Sequence, residues 1–393
     1  MPLSGLELLA AEIGIHILDL SALTEIQCGW TACAILASQP SCVNSLVSRR
    51  QSSYLYCVAS RYGRSPYLDE ALRCVAIRAK RVLSPSSYQI IDRPESLQYG
   101  TALQSLQTAI DDAEERNQPD VLCAINLLSL FELLHLTHQK AWALHIAGAS
   151  RLIRTRGPAS FVSDLDIRLM LSLITPITHE YLRNNEACYF EEDSWQKMFQ
   201  SHVITTDSFS SRSQLAISLS CIMVRGPRLV RDVRIAVNAP ETITRLGLAQ
   251  IRRRLREYRG ELWQWLADYN LVALTTPHRT LAPNEDVHSE LLATCYALFI
   301  ICSRLMSAMS TDLIEVLEDE AVTHATQMLK LEKDVSSVNN WASFYIGQKL
   351  VVAKATLSTT SIWRENSGRC SSIIEEYKFK TWWAAITMEQ PCP

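Results

Sequence analysis

Apolar residues recur at three- and four-residue spacing along most of the chain, whereas the apolar–polar alternation that indicates strands is rare. In the segment SPYLDEALRCVAIRAKRVL, Ser65 fits an N-cap and Pro66 fits the first position of a helix. One apolar stripe follows, made of Leu68, Leu72, Val75, Ala79 and Val82. The sequence therefore predicts an all-α fold, a large bundle of paired antiparallel helices.

The segments that follow continue the helical pattern. YGTALQSLQTAIDDAEER predicts a second helix with Tyr99, Leu103, Leu106 and Ile110 on one face. DVLCAINLLSLFELL is apolar on nearly all sides, which indicates a central helix. Further helices are predicted near residues 165–183, 244–269, 287–309, 312–332, 338–357 and 371–387. Loops are predicted from Ser201 to Gln214 and from Thr275 to Val287.

Glu132 is the one charged residue in LLSLFELL. A buried carboxylate must be paired, protonated or turned toward a polar opening, because an unpaired buried charge is costly. One interpretation is a salt bridge to Arg151 on the next helix. The other is a polar anchor within a ligand-binding cavity, and the sequence leaves both open.

The segment AWALHIAGASRLIRTRGP predicts a helix with a defined end. Its buried face is predicted to contain Trp142, Ile146, Ala149 and Ile153. We expect Gly148 to allow the close approach of a neighbouring helix, and Gly157 and Pro158 to end the segment. Three arginines in the last turns complement the helix dipole: Arg151, Arg154 and Arg156.

Taken together, YGTALQSLQTAI, LLSLFELL, AWALHIAGASRLIRTRGP and CYFEEDSW resemble the all-helical regulatory region of fungal-specific transcription factors. The resemblance covers about residues 54–385, and the stretch from Trp142 to Pro158 is its most distinctive part. It implies a helical regulatory domain over 54–393 and an N-terminal extension, helical or irregular, over 1–53.

In that family, the helical region usually follows a DNA-binding module in which six clustered cysteines hold two zinc ions. Here Cys28, Cys33 and Cys42 are spaced widely, with no lysine or arginine between them. We therefore expect no zinc cluster, either because the protein lacks its DNA reader or because the gene model has lost an upstream exon. Direct DNA binding is then not expected without a partner.

The bulk composition predicts a folded protein, with 48% apolar and 20% charged residues. A net charge of -3 gives no global attraction for nucleic acid. Twelve cysteines are scattered singly through apolar segments, which is typical of reduced core residues in an intracellular protein. The N-terminus has no secretory signal, and no apolar run reaches the roughly 18 residues of a membrane span. We expect a location in the nucleus or cytoplasm.

Four residues are candidates for a ligand pocket: Glu132, His135, Trp142 and His145. A metal ion bound by two of His135, His138 and His145 is an alternative, although no cysteine or carboxylate lies at a helpful spacing. The acidic run DDAEE, from Asp111 to Glu115, resembles the magnesium-binding motif of terpene synthases, but no second metal-binding motif follows and carboxylates on an exposed helix end need no ligand. No cofactor or metal is predicted.

A second group is basic, on IRRRLREYRGELWQW: Arg252, Arg253, Arg254, Arg256 and Arg259. These arginines form either a solvated helix face or a phosphate-binding surface, which the segment from Arg225 to Arg234 would extend. No GxSxG, GxxxxGK or GxGxxG motif occurs, so enzymes built on those motifs are excluded.

Two functional hypotheses remain. The first is a regulator that binds a protein partner or a small apolar effector and influences transcription, for example of a secondary-metabolite pathway. The second is an enzyme recruited from the same scaffold, a cyclase or pericyclase such as a Diels-Alderase, which needs a shaped apolar site more than a motif. Whether the chain is an enzyme stays uncertain from sequence, and a homodimer stays an open option.

Overall fold

The computed structural model describes residues 54–83, 95–134, 140–206, 208, 210–275, 285–338, 342–365 and 372–387. These residues form helices and connecting turns, and no strand occurs within those ranges. The predicted all-α fold is confirmed. The chain divides into two units, the first ending at Glu180 and the second beginning at Tyr181.

The first unit begins with short helix α1 (Leu55–Val58), followed by α2 (Pro66–Leu83), α3 (Glu95–Asp111), α4 (Pro119–Leu134) and α5 (Ala141–Arg156). Helix α6 (Asp164–Arg183) starts in this unit. Helix α2 packs against α3 and α4, and α4 packs against α5. Every residue of α4 from Val121 to Glu132 is buried, which confirms the prediction of a central helix.

Two polar contacts anchor the start of α4 and the turn before it. Arg61 forms an ion pair with Asp120, near the start of the helix. The Tyr67 hydroxyl donates to a carboxylate oxygen of Glu115 at 2.9 Å. Helix α2 begins at Pro66, as the sequence predicts.

The end of α5 also follows the prediction, because Gly157 has φ 72° and its N–H donates to Ile153 O at 3.1 Å. Arg156 pairs with Asp166 at 2.7 Å, and its guanidinium lies 4.6 Å from the ring centre of Phe161. The prediction for Gly148 was wrong: it is exposed, and a Cβ built there would meet no atom within 4 Å.

The apolar face of α3 also differs from the prediction. Ala102, Leu106 and Ala109 are buried, whereas Leu103 is 37% exposed. Because alanine side chains are small, α3 packs closely along the face that carries them. This buried face is rotated by about one residue from the face that the large apolar side chains predict.

The second unit contains α7 (Asp193–Ser201), α8 (Gln214–Met223), α9 (Gly226–Asn238), α10 (Arg245–Thr275), α11 (Glu285–Met309), α12 (Ile314–Val338), α13 (Ala342–Arg364) and α14 (Glu376–Thr387). Helix α11 is central and packs against α9, α10, α12 and α13. Its segment His288–Met309 is long and apolar enough to cross a membrane, but 67% of that window is buried, as in the core helix of a bundle.

Helices α7, α8 and α9 were not predicted. Helix α8 has an ordinary start signal, since the Ser213 hydroxyl accepts a hydrogen bond from Ala216 N at 3.1 Å. The structure describes seven cysteines, all of them free, and six of these are buried. The prediction of unpaired core cysteines is therefore confirmed for these six, whereas Cys57 is only partly buried.

Candidate functional site

A cluster of polar side chains lies among the helices of the first unit. The Tyr99 hydroxyl on α3 is 2.7 Å from Nε2 of His145 on α5. The two rings meet edge to face, with centroids 6.2 Å apart. The Glu132 carboxyl on α4 neighbours the Tyr99 hydroxyl and helps to raise its pKa. Glu132, Tyr99 and His145 therefore bring three helices together, and we call these three residues the Tyr99 chain.

Glu132 is 1% exposed, so the structure places this carboxyl inside the helical core. The Arg151 side chain, the salt-bridge partner considered from the sequence, is exposed on α5. The Tyr99 hydroxyl and Nε2 of His145 form one hydrogen bond, and the tautomer of the imidazole sets which of the two atoms donates.

Burial keeps two members of the Tyr99 chain neutral. It raises the pKa of Tyr99, and the neighbouring Glu132 carboxyl adds to that effect. Burial lowers the pKa of His145 to about 4, although the negative charge of Glu132 opposes this shift. At neutral pH the imidazole is therefore uncharged.

Aromatic contacts hold the Tyr99 chain in place. The Tyr99 ring stacks on Phe131 with centroids 4.8 Å apart and an interplanar angle of 16°. Trp142 precedes His145 by three residues on α5, so the two side chains are neighbours on the helix surface. The Trp142 ring is partly buried, yet its Nε1 is buried and has no hydrogen-bond partner among the described residues.

Three of the four residues predicted for a ligand pocket therefore lie on neighbouring helices, α4 and α5. His135 falls outside the described residues, as does His138. Tyr99, which links Glu132 to His145, was missed as a site residue because the sequence places it among the apolar residues of α3. No signal in the local sequence marks it, because its role depends on tertiary contacts.

The acidic run DDAEE lies at a solvated helix end. The residues from Asp111 to Glu115 are all exposed at the end of α3. One oxygen of Asp112 accepts the backbone N–H groups of Glu114 and Glu115, at 2.8 and 3.0 Å. Among the described residues, no group of three histidine, cysteine or acidic side chains could hold a metal ion.

The arginines of the predicted basic surface lie on α10, and most of them have partners. Arg254 pairs with Asp232 at 2.8 Å, and Arg259 makes a two-pronged pair with Glu320. Arg252 donates to a backbone carbonyl, Met309 O, at 2.6 Å. Arg253 lies 3.6 Å from Glu257 on the exposed side, and Arg256 is exposed.

The neighbouring basic segment from Arg225 to Arg234 shows the same local neutralisation. Arg225 pairs with Glu261, and Arg228 pairs with Glu191. Arg231 pairs with Asp232 at 2.9 Å. Much of the positive charge of α9 and α10 is therefore balanced by acidic residues within the same unit.

Comparison with known proteins identifies a family. The profile of the fungal specific transcription factor domain matches residues 41–347. A segment of 100 residues is 26% identical to an uncharacterized protein from Emericella nidulans and covers 25% of this chain. That segment spans only 21% of the relative's own length. No solved structure matches the chain.

Proposed function

Because the chain belongs to the fungal specific transcription factor domain family, we propose that it is a transcriptional regulator that acts through a protein partner or a small apolar effector. The observation that carries this proposal is the family match, which extends over residues 41–347 and so includes most helices of both units. The pathway that it controls would be one of secondary metabolism, and its place of action would be the nucleus.

The distribution of charge supports indirect action on DNA. Lysine and arginine contacts with phosphates supply most of nonspecific DNA affinity, and an acidic neighbour competes with the phosphate for such a side chain. On α10, Arg254 and Arg259 are held by acidic residues instead. We therefore propose that a partner protein reads the DNA and that the helical domain transmits a signal.

Deletion of the gene tests the proposal. In the deletion strain, we expect the transcripts of a set of genes to be lost, together with the products of those genes. Re-expression of the full chain should restore both. A set of transcripts that is unchanged in the deletion strain would contradict the regulatory function.

One observation favours a second candidate, an enzyme on the same scaffold. The Tyr99 chain links a buried carboxyl, a hydroxyl and an imidazole, and such a chain can hold or transfer a proton. A cyclase or pericyclase acting on an apolar metabolite would use it to position a reactive conformer. In that case deletion would leave transcripts unchanged, and one precursor would accumulate.

A further inference from the structure

We propose that the N-terminal segment of residues 6–20, which lies outside the described residues, docks on the exposed face of α5 in the same chain. This inference goes beyond the proposed function, because it concerns a surface of the first unit and holds for a regulator and for an enzyme alike.

The docking face consists of exposed residues along one side of α5: Leu144, Gly148, Arg151 and Thr155. Their spacings of four, three and four residues place them in one row on the helix surface. Leu144 is apolar, yet 69% of it is exposed. Gly148 has no side chain, and a Cβ built there would meet no atom within 4 Å. The face therefore offers an apolar contact with a shallow dip beside it.

Charge selects the occupant of this face. Helix α5 contains no acidic residue, and it and its N-cap carry four basic ones: Lys140, Arg151, Arg154 and Arg156. Residues 1–48 have the opposite character, because they contain no lysine or arginine and four acidic residues: Glu7, Glu12, Asp19 and Glu25. Residues 6–20 also supply leucine and isoleucine side chains that can cover Leu144. The segment and the face are therefore complementary in charge and in apolar surface.

The same criterion disfavours two other arrangements. Helix α3 has an exposed glycine with open space around it, Gly100, but residues 96–110 carry no charged side chain that would attract an acidic segment. Two copies of α5 packed face to face would bring their arginines together, and like charges across an interface are unfavourable.

The connection between the segment and the first unit is long enough for docking. Tyr54 belongs to the same unit as α5, and residues 21–53 join the segment to it. A chain of this length can span about 100 Å, whereas a folded unit of about 180 residues has a radius of gyration of about 16 Å. Tethering also raises the effective concentration of the segment above that of a second copy.

Cleavage of the full chain by a glutamate-specific protease provides the first test. The bonds after Glu7 and Glu12 become accessible when the segment leaves α5, so their cleavage follows the population of the undocked state. Gly148→Leu places a large side chain beneath the segment, and we expect cleavage to be about tenfold faster. Gly100→Leu is the matched control, because Gly100 is an exposed helical glycine of the same unit. No acceleration in Gly148→Leu, or equal acceleration in both variants, would overturn the proposal.

Photochemical cross-linking identifies the occupant directly. Benzoylphenylalanine in place of Leu144 should form adducts with residues 6–20. The same group in place of Leu97, which is 57% exposed on α3, should not. In an equal mixture of nitrogen-14 and nitrogen-15 chains, we expect the two cross-linked peptides to carry the same isotope. Mixed pairs would place a second copy on the face and refute docking within the chain, as would adducts that contain no residue of the segment.

Charge reversal tests the electrostatic basis of docking. Arg151→Glu should lower the yield of the Leu144 adducts severalfold, because it places an acidic side chain against an acidic segment. Arg116→Glu, at another exposed arginine of the first unit, is the control. Adding Glu7→Lys and Glu12→Lys to Arg151→Glu should restore the yield, which a merely structural effect of Arg151 would not allow. An unchanged yield in Arg151→Glu, or a loss that is not restored, would contradict the proposal.

Discussion

Arg304 on α11 and Glu318 on α12 form an ion pair in which neither side chain has exposed surface. Arg304 Nε donates to Glu318 Oε2 at 2.9 Å, and Nη1 donates to the Thr359 hydroxyl at 2.6 Å. The guanidinium also lies 4.5 Å from the Trp363 ring centre and 5.4 Å from that of Trp382. One cation thus joins α11, α12, α13 and α14.

Removal of one partner should destabilise the second unit strongly. Glu318→Ala leaves the buried Arg304 without its counter-ion, and breaking such a pair costs about 3–5 kcal/mol. The double variant Arg304→Met/Glu318→Leu removes both charges, so we expect a smaller loss than for Glu318→Ala alone. Urea unfolding followed by tryptophan fluorescence measures both.

An exposed pair provides the control for that comparison. Arg253 and Glu257 on α10 lie 3.6 Å apart, and their side chains are 69% and 58% exposed. Exposed pairs of this kind contribute at most about 0.5 kcal/mol to the free energy of unfolding. Arg253→Ala should therefore change the free energy of unfolding little. A loss for Glu318→Ala as small as that for Arg253→Ala would contradict a structural role for the buried pair.

Two glycines around α5 should respond to alanine in opposite directions. Gly157 has φ 72°, which a side chain disfavours, so Gly157→Ala should lower the free energy of unfolding by about 1–2 kcal/mol. Gly148 lies within the helix and has open space around it. Gly148→Ala should therefore raise the free energy of unfolding by about 0.4–1 kcal/mol. Thermal unfolding by circular dichroism measures both, and a shift of the same sign in the two variants would refute this explanation.

The parts of the fold that sequence predicts are those with strong periodicity. Helix α4 is apolar on all sides and is central, and Gly157 ends α5 as its sequence indicates. Helix α10 was predicted to end near residue 269 but continues to Thr275. Its last turns carry Leu271 and Leu274 on the exposed side, so they lack the apolar periodicity that would extend the prediction.

The candidate site was predicted only in part, because its linking residue depends on tertiary contacts. Glu132 was conspicuous as a charge within an apolar run, and its helix neighbour Phe131 stacks on Tyr99. Nothing in the local sequence of α3 distinguishes Tyr99 from other core aromatics. Similarly, Arg304 lies in an apolar helix, and its partner Glu318 is on the next one, so their pairing becomes visible only when α11 packs against α12.

His145 should make stability depend on pH in the mildly acidic range. Its folded pKa of about 4 is lower than the ordinary value of 6.5, so the unfolded chain binds a proton first as the pH falls. The contribution of neutral His145 is therefore complete above about pH 6.5 and is lost as the pH falls toward 4. The urea concentration at the midpoint of unfolding should therefore decrease as the pH falls from about 6.5 toward 4.

His145→Gln removes the titrating group and should flatten that pH profile. His324 in the second unit also has a pKa lowered by burial, so His324→Gln should flatten a separate part of the profile and its effect should add to that of His145→Gln. Nuclear magnetic resonance of His145 provides a direct check. A titration of its ring near pH 6.5 would show that the imidazole is solvated and not held by Tyr99.

The arginines of α10 should contribute little to DNA binding. Among the arginines of the predicted basic surface, Arg253 and Arg256 are the two exposed ones. If both contacted phosphates, their removal would reduce the slope of log affinity against log salt concentration by about 2. We expect Arg253→Ala/Arg256→Ala to leave the slope unchanged for a labelled duplex between about 50 and 200 mM salt. Arg259→Ala should instead lower stability, because Glu320 is only 11% exposed and would lose its counter-ion. A marked decrease in slope for the double variant would establish α10 as a phosphate-binding surface and would favour direct contact with DNA over action through a partner.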